Sequence, residues 1–165
     1  MKFNALFLLL ISGLFFNACK KDDPDPVTPV TPSIIVGVGT SELKIGDPAQ
    51  KAIDLYGQTS DSYGVSGGQY QHFMTYFTRG VIVYLESTYS ATFDPQTKIK
   101  YLTLSAPFEG KTDKNIGIGS TKTEVLAAYG QPASSSPFFG DTYANGLTIA
   151  YDDNGVLVEV IDVRS

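Results

Sequence analysis

The feature that most constrains this chain is that it repeats itself. Ile45-Gly46-Asp47 through Tyr56-Gly57-Gln58 aligns without gaps to Ile118-Gly119-Ser120 through Tyr129-Gly130-Gln131, at a constant offset of 73. A second block at offset 66 sets Gly80-Val81-Ile82-Val83 against Gly146-Leu147-Thr148-Ile149. A third at offset 59 sets Asp94, Leu102 and Leu104 against Asp153, Ile161 and Val163. One such block could be chance, but three in the same order mark a duplicated unit. The offsets shrink because the loops of the first copy are longer.

Each copy reads as a helix followed by strands. Asp47 and Ser120 are placed to accept hydrogen bonds from the free N–H groups of a first helical turn, with Pro48 at the first helical position, where its missing donor is harmless. Ala52, Ile53 and Tyr56, like Val125, Leu126 and Tyr129, fall three and four apart and give each helix one apolar stripe. Gly57 and Gly130 then stand where a left-handed residue ends a helix. Alternating β-branched and aromatic residues predict strands over 70–78, 81–87 and 99–105, and again over 138–143, 147–152 and 156–163. Asp153-Asn154-Gly155 predicts a type I′ hairpin. The expected fold is α+β, with two tandem units over 34–105 and 106–165. Each would be one helix packed on one face of an antiparallel sheet of about three strands.

The order Ile-Gly-Asp/Ser, helix, Tyr-Gly-Gln, then strand-Gly-strand resembles the SmpA/BamE-like and β-lactamase-inhibitor-protein-like superfamily. The resemblance covers roughly Ile34 to Val163 and implies α/β units whose helices cover one face of an antiparallel sheet. Its members mostly act by protein contact. The matching residues are capping and packing residues, which specify a fold far more than a function.

Ahead of the repeats lies an address. Lys2 precedes a mostly apolar run from Ala5 to Phe16, the length of a secretory core segment and too short for a bilayer core of roughly 30 Å. Phe16-Asn17-Ala18-Cys19 then resembles a bacterial lipobox, which implies removal of residues 1–18 and acylation of Cys19. Residues 19–33 carry Pro24, Pro26, Pro29 and Pro32 and have almost nothing to bury. Such a tether favours extended polyproline geometry at about 3.1 Å per residue. Lys20-Lys21-Asp22-Asp23 resembles the signal of surface-exposed lipoproteins in Bacteroidetes-type bacteria. The expectation is an outer-membrane lipoprotein facing the cell surface, with a periplasm-facing orientation as the alternative, and membrane contact through the lipid anchor.

Composition narrows the chemistry. The net charge is −5, with lysine and arginine scattered rather than clustered, so the chain lacks the basic footprint of a nucleic-acid binder. Cys19 is the only cysteine, which rules out an internal disulfide. His72 is the only histidine, and no His/Cys/Glu spacing suggests a metal site. Asp152-Asp153-Asn154-Gly155 lacks the alternating acids of a calcium loop, and neither Gly37-Val38-Gly39 nor Gly117-Ile118-Gly119 has phosphate-cradle spacing. The strand-side acids Glu86, Asp152 and Glu159 read as surface charges. No catalytic residue, cofactor or metal ligand is assigned, and nothing fixes an oligomeric state.

The aromatic distribution remains to be explained. If Val81, Val83 and Leu85 face the helices, alternation turns Ile82, Tyr84 and Glu86 away. Putting Phe73 and Phe77 in the core turns Tyr70, His72, Met74 and Tyr76 outward, and placing Leu102 and Leu104 inside turns Ile99 and Tyr101 outward. The candidate binding surface is therefore Tyr70, His72, Met74, Tyr76, Tyr84 and Tyr101, on the helix-free side of the first unit. The reading that follows is a non-enzymatic envelope lipoprotein that meets an envelope protein partner through a sheet surface. The alternatives are an envelope carbohydrate-binding or carbohydrate-active protein and a purely structural lipoprotein. The competing cover for that face would be the tether, the second unit or the loop from Ser60 to Gln69.

Overall fold

The computed structural model describes residues 32–165. The expected signal segment, Cys19 and all but the last two residues of the expected tether lie outside the described residues. After a short hairpin of β1 (Ile34–Ile35) and β2 (Gly39–Thr40), each half of the chain runs as one eight-residue helix and four strands. The first half holds α1 (Ala49–Tyr56), β3 (Asp61–Ser66), β4 (Gln69–Tyr76), β5 (Val81–Leu85) and β6 (Ile99–Ser105). The second holds α2 (Lys122–Tyr129), β7 (Ser134–Ser136), β8 (Gly140–Thr142), β9 (Leu147–Tyr151) and β10 (Val158–Arg164).

The expected pair of separate helix-on-sheet units is not what forms. All eight later strands belong to one antiparallel sheet in the order β3-β4-β5-β6-β10-β9-β8-β7. The two meanders fuse because the last strand of each finds the other's free edge. Tyr101, Leu102, Thr103, Leu104 and Ser105 pair with Arg164, Val163, Asp162, Ile161 and Val160. Thr103 and Asp162 are themselves equivalent at offset 59, so the register is symmetric about that pair and the same two-residue apolar spacing serves both sides. An unpaired edge of exposed N–H and C=O groups is a liability, and the fusion removes it from both halves at once.

The repeat persists in hydrogen bonds. Gly46 N–H donates to Ile99 O and Gly119 N–H to Val158 O, both at 2.8 Å. Ala49 N–H reaches Thr97 O at 2.9 Å, and Lys122 N–H reaches Val156 O at 2.8 Å. Each helix start is thus tied to the entrance of its own last strand. Two cap assignments shift by one residue. Pro48 and Thr121 are the N-caps, and Thr121 forms a full capping box with Glu124. Asp47 Oδ2 and Ser120 Oγ instead accept from Lys44 N–H and Gly117 N–H, at 2.8 and 3.1 Å, closing the turn that leads in. Gly57 and Gly130 end the helices with positive φ, at 90° and 76°, but with ψ of 171° and −157° they are extended rather than in the expected left-handed helical state, a region open to glycine alone. The turn after β9 is not type I′: Gly155 N–H closes it onto Asp152 O at 2.7 Å, and neither central residue, Asp153 or Asn154, has positive φ.

The core lies between the sheet and the helices. Val81, Val83, Leu85, Leu102, Leu104, Leu147, Ile149, Ile161 and Val163 are buried beneath Ala49, Ala52 and Val125. Two facing assignments are overturned. In β4, His72, Met74 and Tyr76 are buried and Phe73 turns to the helix-free face. Both phases of this strand are apolar, so its own sequence does not choose. The register with β5 does, because Met74 lies opposite Val83 and Tyr76 opposite Val81, and opposed residues share a face. Phe77 lies in a 3₁₀ turn, 82% exposed. Ile99 is buried because a bulge at Lys100 shifts the phase of β6, and Glu159 repeats it in β10.

Candidate functional site

The helix-free face is built by strict alternation. Phe73, Tyr84 and Tyr101 are direct cross-strand neighbours on β4, β5 and β6, and Arg164 follows on β10. They form one row across the strands. The Phe73 and Tyr84 rings lie 5.5 Å apart, and Tyr84 and Tyr101 stack at 4.3 Å with an interplanar angle of 12°. The Arg164 guanidinium stands 4.2 Å from the Tyr101 ring centroid. Arg164 also donates to Asp162 Oδ2 at 3.1 Å, and Asp162 Oδ1 accepts from Thr103 Oγ1 at 2.5 Å. Thr75, Ile82, Thr103, Asp162, Thr148 and Thr142 make the adjacent row. All of these side chains but the exposed Arg164 are half-buried, as a single uncovered layer should be. Burial raises the Tyr84 and Tyr101 phenol pKa values, with the charge of Asp162 adding and that of Arg164 opposing.

The six expected surface residues therefore divide. Tyr84 and Tyr101 lie on the helix-free face and touch. His72, Met74 and Tyr76 are 2, 2 and 6% exposed on the other side of the sheet, so they cannot share a patch with them. His72 Nδ1 lies 2.9 Å from Asp61 Oδ1 and its Nε2 3.2 Å from Ser90 O, which ties β3 and a loop to β4. Tyr76 packs edge-on to Tyr56 at 5.2 Å. Tyr70 points to the helix side near the sheet edge, against Tyr63 at 5.2 Å. Two of the covers considered for the helix-free face are also ruled out. The 60–69 segment is largely β3, which extends the sheet, and the second half joins edge to edge.

A second constellation escaped the sequence reading. A cleft of about 620 Å³ opens beside the β7–β8 hairpin and the end of β9, with Asp141, Lys122 and Tyr151 in its wall. Asp141 is 4% exposed, accepts from Ser135 Oγ at 2.7 Å and faces Lys122 Nζ at 3.3 Å. Burial works to raise its pKa, but the Ser135 hydroxyl and the Lys122 ammonium outweigh burial and hold it below the ordinary value. Tyr151 is pushed upward, by burial first and then by Tyr143 and Asp141. Lys122 was visible as a departure inside the first repeat block, where it replaces Ala49. Asp141 falls in no aligned block and left no signal. Among the described residues, no group of three or more His, Cys, Asp or Glu side chains could hold a metal ion.

These carboxylates set an acid response. A carboxyl whose folded pKa is depressed adds stability above its unfolded value, here near 3.8, and that stability is lost as pH falls through the folded value. Asp141 and Asp47 both belong to this class. Urea midpoints should therefore drop below about pH 4, and Asp141→Asn should be less stable at neutral pH yet lose less on acidification. An unchanged slope in the variant would exclude Asp141 as a contributor.

No protein-family profile, curated protein or solved structure matches this chain. Function is accordingly argued from the two surfaces just described.

Proposed function

We propose that this chain is a non-enzymatic cell-envelope lipoprotein, anchored to the outer membrane through Cys19 and facing the cell surface, that acts by contact between its helix-free sheet face and an envelope protein. The observation that carries this reading is the row Phe73, Tyr84, Tyr101 and Arg164. It sets three aromatic rings and a guanidinium, the side chains most enriched at interface hot spots, side by side on a strand framework. The tether, and the resemblance of the helix and strand pattern to a superfamily acting mostly by protein contact, point the same way.

Ring orientation favours this reading over the carbohydrate one. Cross-strand neighbours lie about 4.8 Å apart in the plane of the sheet. Rings stacked at 4.3 Å and 12° along that direction stand edge-on to solvent. They present ring edges and hydroxyl tips, which suit a protein surface, rather than the flat faces on which a sugar ring stacks. The acids also have other work. Asp152, for example, accepts from Val156 and Leu157 N–H at 2.8 and 3.1 Å.

Tyr84→Ala and Tyr101→Ala should each weaken capture of the partner from its own envelope by about 30-fold, a hot-spot loss of about 2 kcal/mol. Stability should fall by only about 1 kcal/mol, the worth of a cross-strand aromatic pair. Tyr76→Ala is the contrast, since a buried aromatic truncation costs about 3–5 kcal/mol. Capture unaffected by either surface variant would leave the purely structural role. Cys19→Ala should release the protein from the membrane or leave an uncleaved precursor. Unchanged fractionation and unchanged labelling by palmitate analogues would remove the anchor.

A further inference from the structure

The duplication supplies an internal comparison. At three equivalent core positions the first half has Ala49, Met74 and Leu85, and the second has Lys122, Asp141 and Tyr151. Ala49 and Lys122 are related at offset 73, and Leu85 and Tyr151 at offset 66. Met74 lies opposite Val83 as Asp141 lies opposite Ile149, and those two partners are also related at offset 66. An apolar set, 0 to 2% exposed, has become an ammonium, a carboxylate and a phenol. The fold does not require this, because the first half closes without it.

The polar set is left incompletely satisfied. Asp141 Oδ2 is buried and accepts no hydrogen bond of good geometry, although Lys122 Nζ lies 3.3 Å away and the Tyr151 hydroxyl is a near neighbour. The Tyr151 and Tyr143 hydroxyls beside it are buried and likewise make no hydrogen bond of good geometry, with Asp141 and each other as polar neighbours. Buried polar groups in this condition are costly and call for an explanation, of which a bound group is one.

The space is also specific to the second half. β4 begins five residues before Met74, whereas β8 begins only one residue before Asp141. The short hairpin leaves the end of β9 uncovered and opens the cleft of about 620 Å³. Its charge is one-sided. Asp141, Asp152, Asp153 and Glu159 line it against Lys122 alone, and of these acids only Asp141 pairs with a cation among the described residues. Lys122 Nζ sits 4.6 Å from the Tyr151 ring centroid, so the ring already serves as a cation face. The Lys122 side chain is 43% exposed and can swing into solvent without opening the core.

We propose that this cleft binds a primary ammonium group, with Asp141 as counter-charge, the Tyr151 ring as cation face, and Lys122 as a resident occupant that the ligand displaces. A free aliphatic amine and the lysine side chain of a protein carry the same chemistry. An anion is disfavoured by the surplus of carboxylates.

The test is titration of the ¹⁵N-labelled protein with 1,5-diaminopentane, with 1,5-pentanediol as the uncharged match in length. Blocked Gly-Lys-Gly and Gly-norleucine-Gly peptides run in parallel. The diamine should give saturable shifts at Lys122, Asp141 and Tyr151, and the diol none. Preference for the lysine peptide over the diamine assigns the site to a protein side chain, and the reverse to a free amine. Asp141→Asn should weaken amine binding by about tenfold or more. Lys122→Ala should strengthen it by about fivefold, because the internal competitor is gone. Lys122→Gln keeps the stem and gives the same reading if the alanine variant folds poorly. Equal response to diamine and diol, no saturable response to either amine, or weaker amine binding once Lys122 is replaced would each overturn the proposal. Asp141→Met with Tyr151→Leu, which restores the side chains of the first half, should abolish binding while the melting temperature shows the fold intact.

Discussion

Gly80→Ala and Gly146→Ala should each destabilise the protein by about 3 kcal/mol or more, among the largest effects of any single-methyl change in this chain. The two glycines are equivalent at offset 66 and have φ of +65° and +84°. A Cβ on Gly80 would meet Ser105 O at 2.0 Å, and one on Gly146 would meet Arg164 O at 2.0 Å. Both contacts are backbone, so no side chain can rotate away. The same glycines accept through their carbonyls from Ser105 N–H and Arg164 N–H, at 2.9 and 2.8 Å. An added methyl therefore pushes apart a hydrogen-bonded pair of strand ends. Gly155→Ala is the control, with φ of +67° and nothing near its Cβ position. It should cost only the left-handed penalty of about 1–2 kcal/mol. Chemical denaturation of the three variants decides the point. If Gly80→Ala behaves like Gly155→Ala, the close approach does not govern this position.

These glycines also show what made part of the fold legible. Gly80, Gly146, Gly57 and Gly130 sit where one residue type fits one backbone state, so duplication preserved them and the sequence displayed them. The strand pairs β5 with β9 and β6 with β10 keep the offsets of 66 and 59 for the same kind of reason, because their inward residues are fixed by burial. β3 was missed since all six of its residues are exposed, which leaves no buried face to impose alternation. β7 is three serines at the opposite edge. The phase of β4 could not be read because Phe73 and Met74 suit a core equally well, and only the pairing with Val83 and Tyr84 selects between them. Of the six residues expected on the helix-free face, only Tyr84 and Tyr101 lie there. Tyr84 lies on a strand of unambiguous phase and Tyr101 in the part of β6 beyond the bulge at Lys100, whereas His72, Met74 and Tyr76 share the ambiguous β4. The cleft in the second half depends on the shortness of β8 and on Asp141, neither of which local pattern reveals.

Fusion of the two halves was equally hidden, since nothing in Leu102-Thr103-Leu104 or Ile161-Asp162-Val163 says that one strand pairs with the other. It has a measurable consequence. The five residue pairs across this seam make the sheet continuous, and the β1–β2 hairpin adds a clamp, with Ile34 N–H donating to Lys111 O at 2.9 Å. Calorimetry should therefore show one cooperative transition, with van't Hoff and calorimetric enthalpies equal. Leu104 is fully buried beside the seam and lies opposite both Val81 and Ile161. Leu104→Ala should cost about 3 kcal/mol, within the usual range for a buried leucine, and should move the whole transition. Ile161→Ala, on the partner strand, should couple with it non-additively because the two side chains share one contact. Amide exchange should be slowest in β6 and β10, the central strands of the sheet. Two resolved transitions, with Leu104→Ala shifting only one, would mean that the halves behave as separate bodies. The row from Phe73 through Tyr101 to Arg164 crosses this seam, so its last member would then lose the rigid register that places the guanidinium over the ring. The proposed contact surface would shrink to the first half alone.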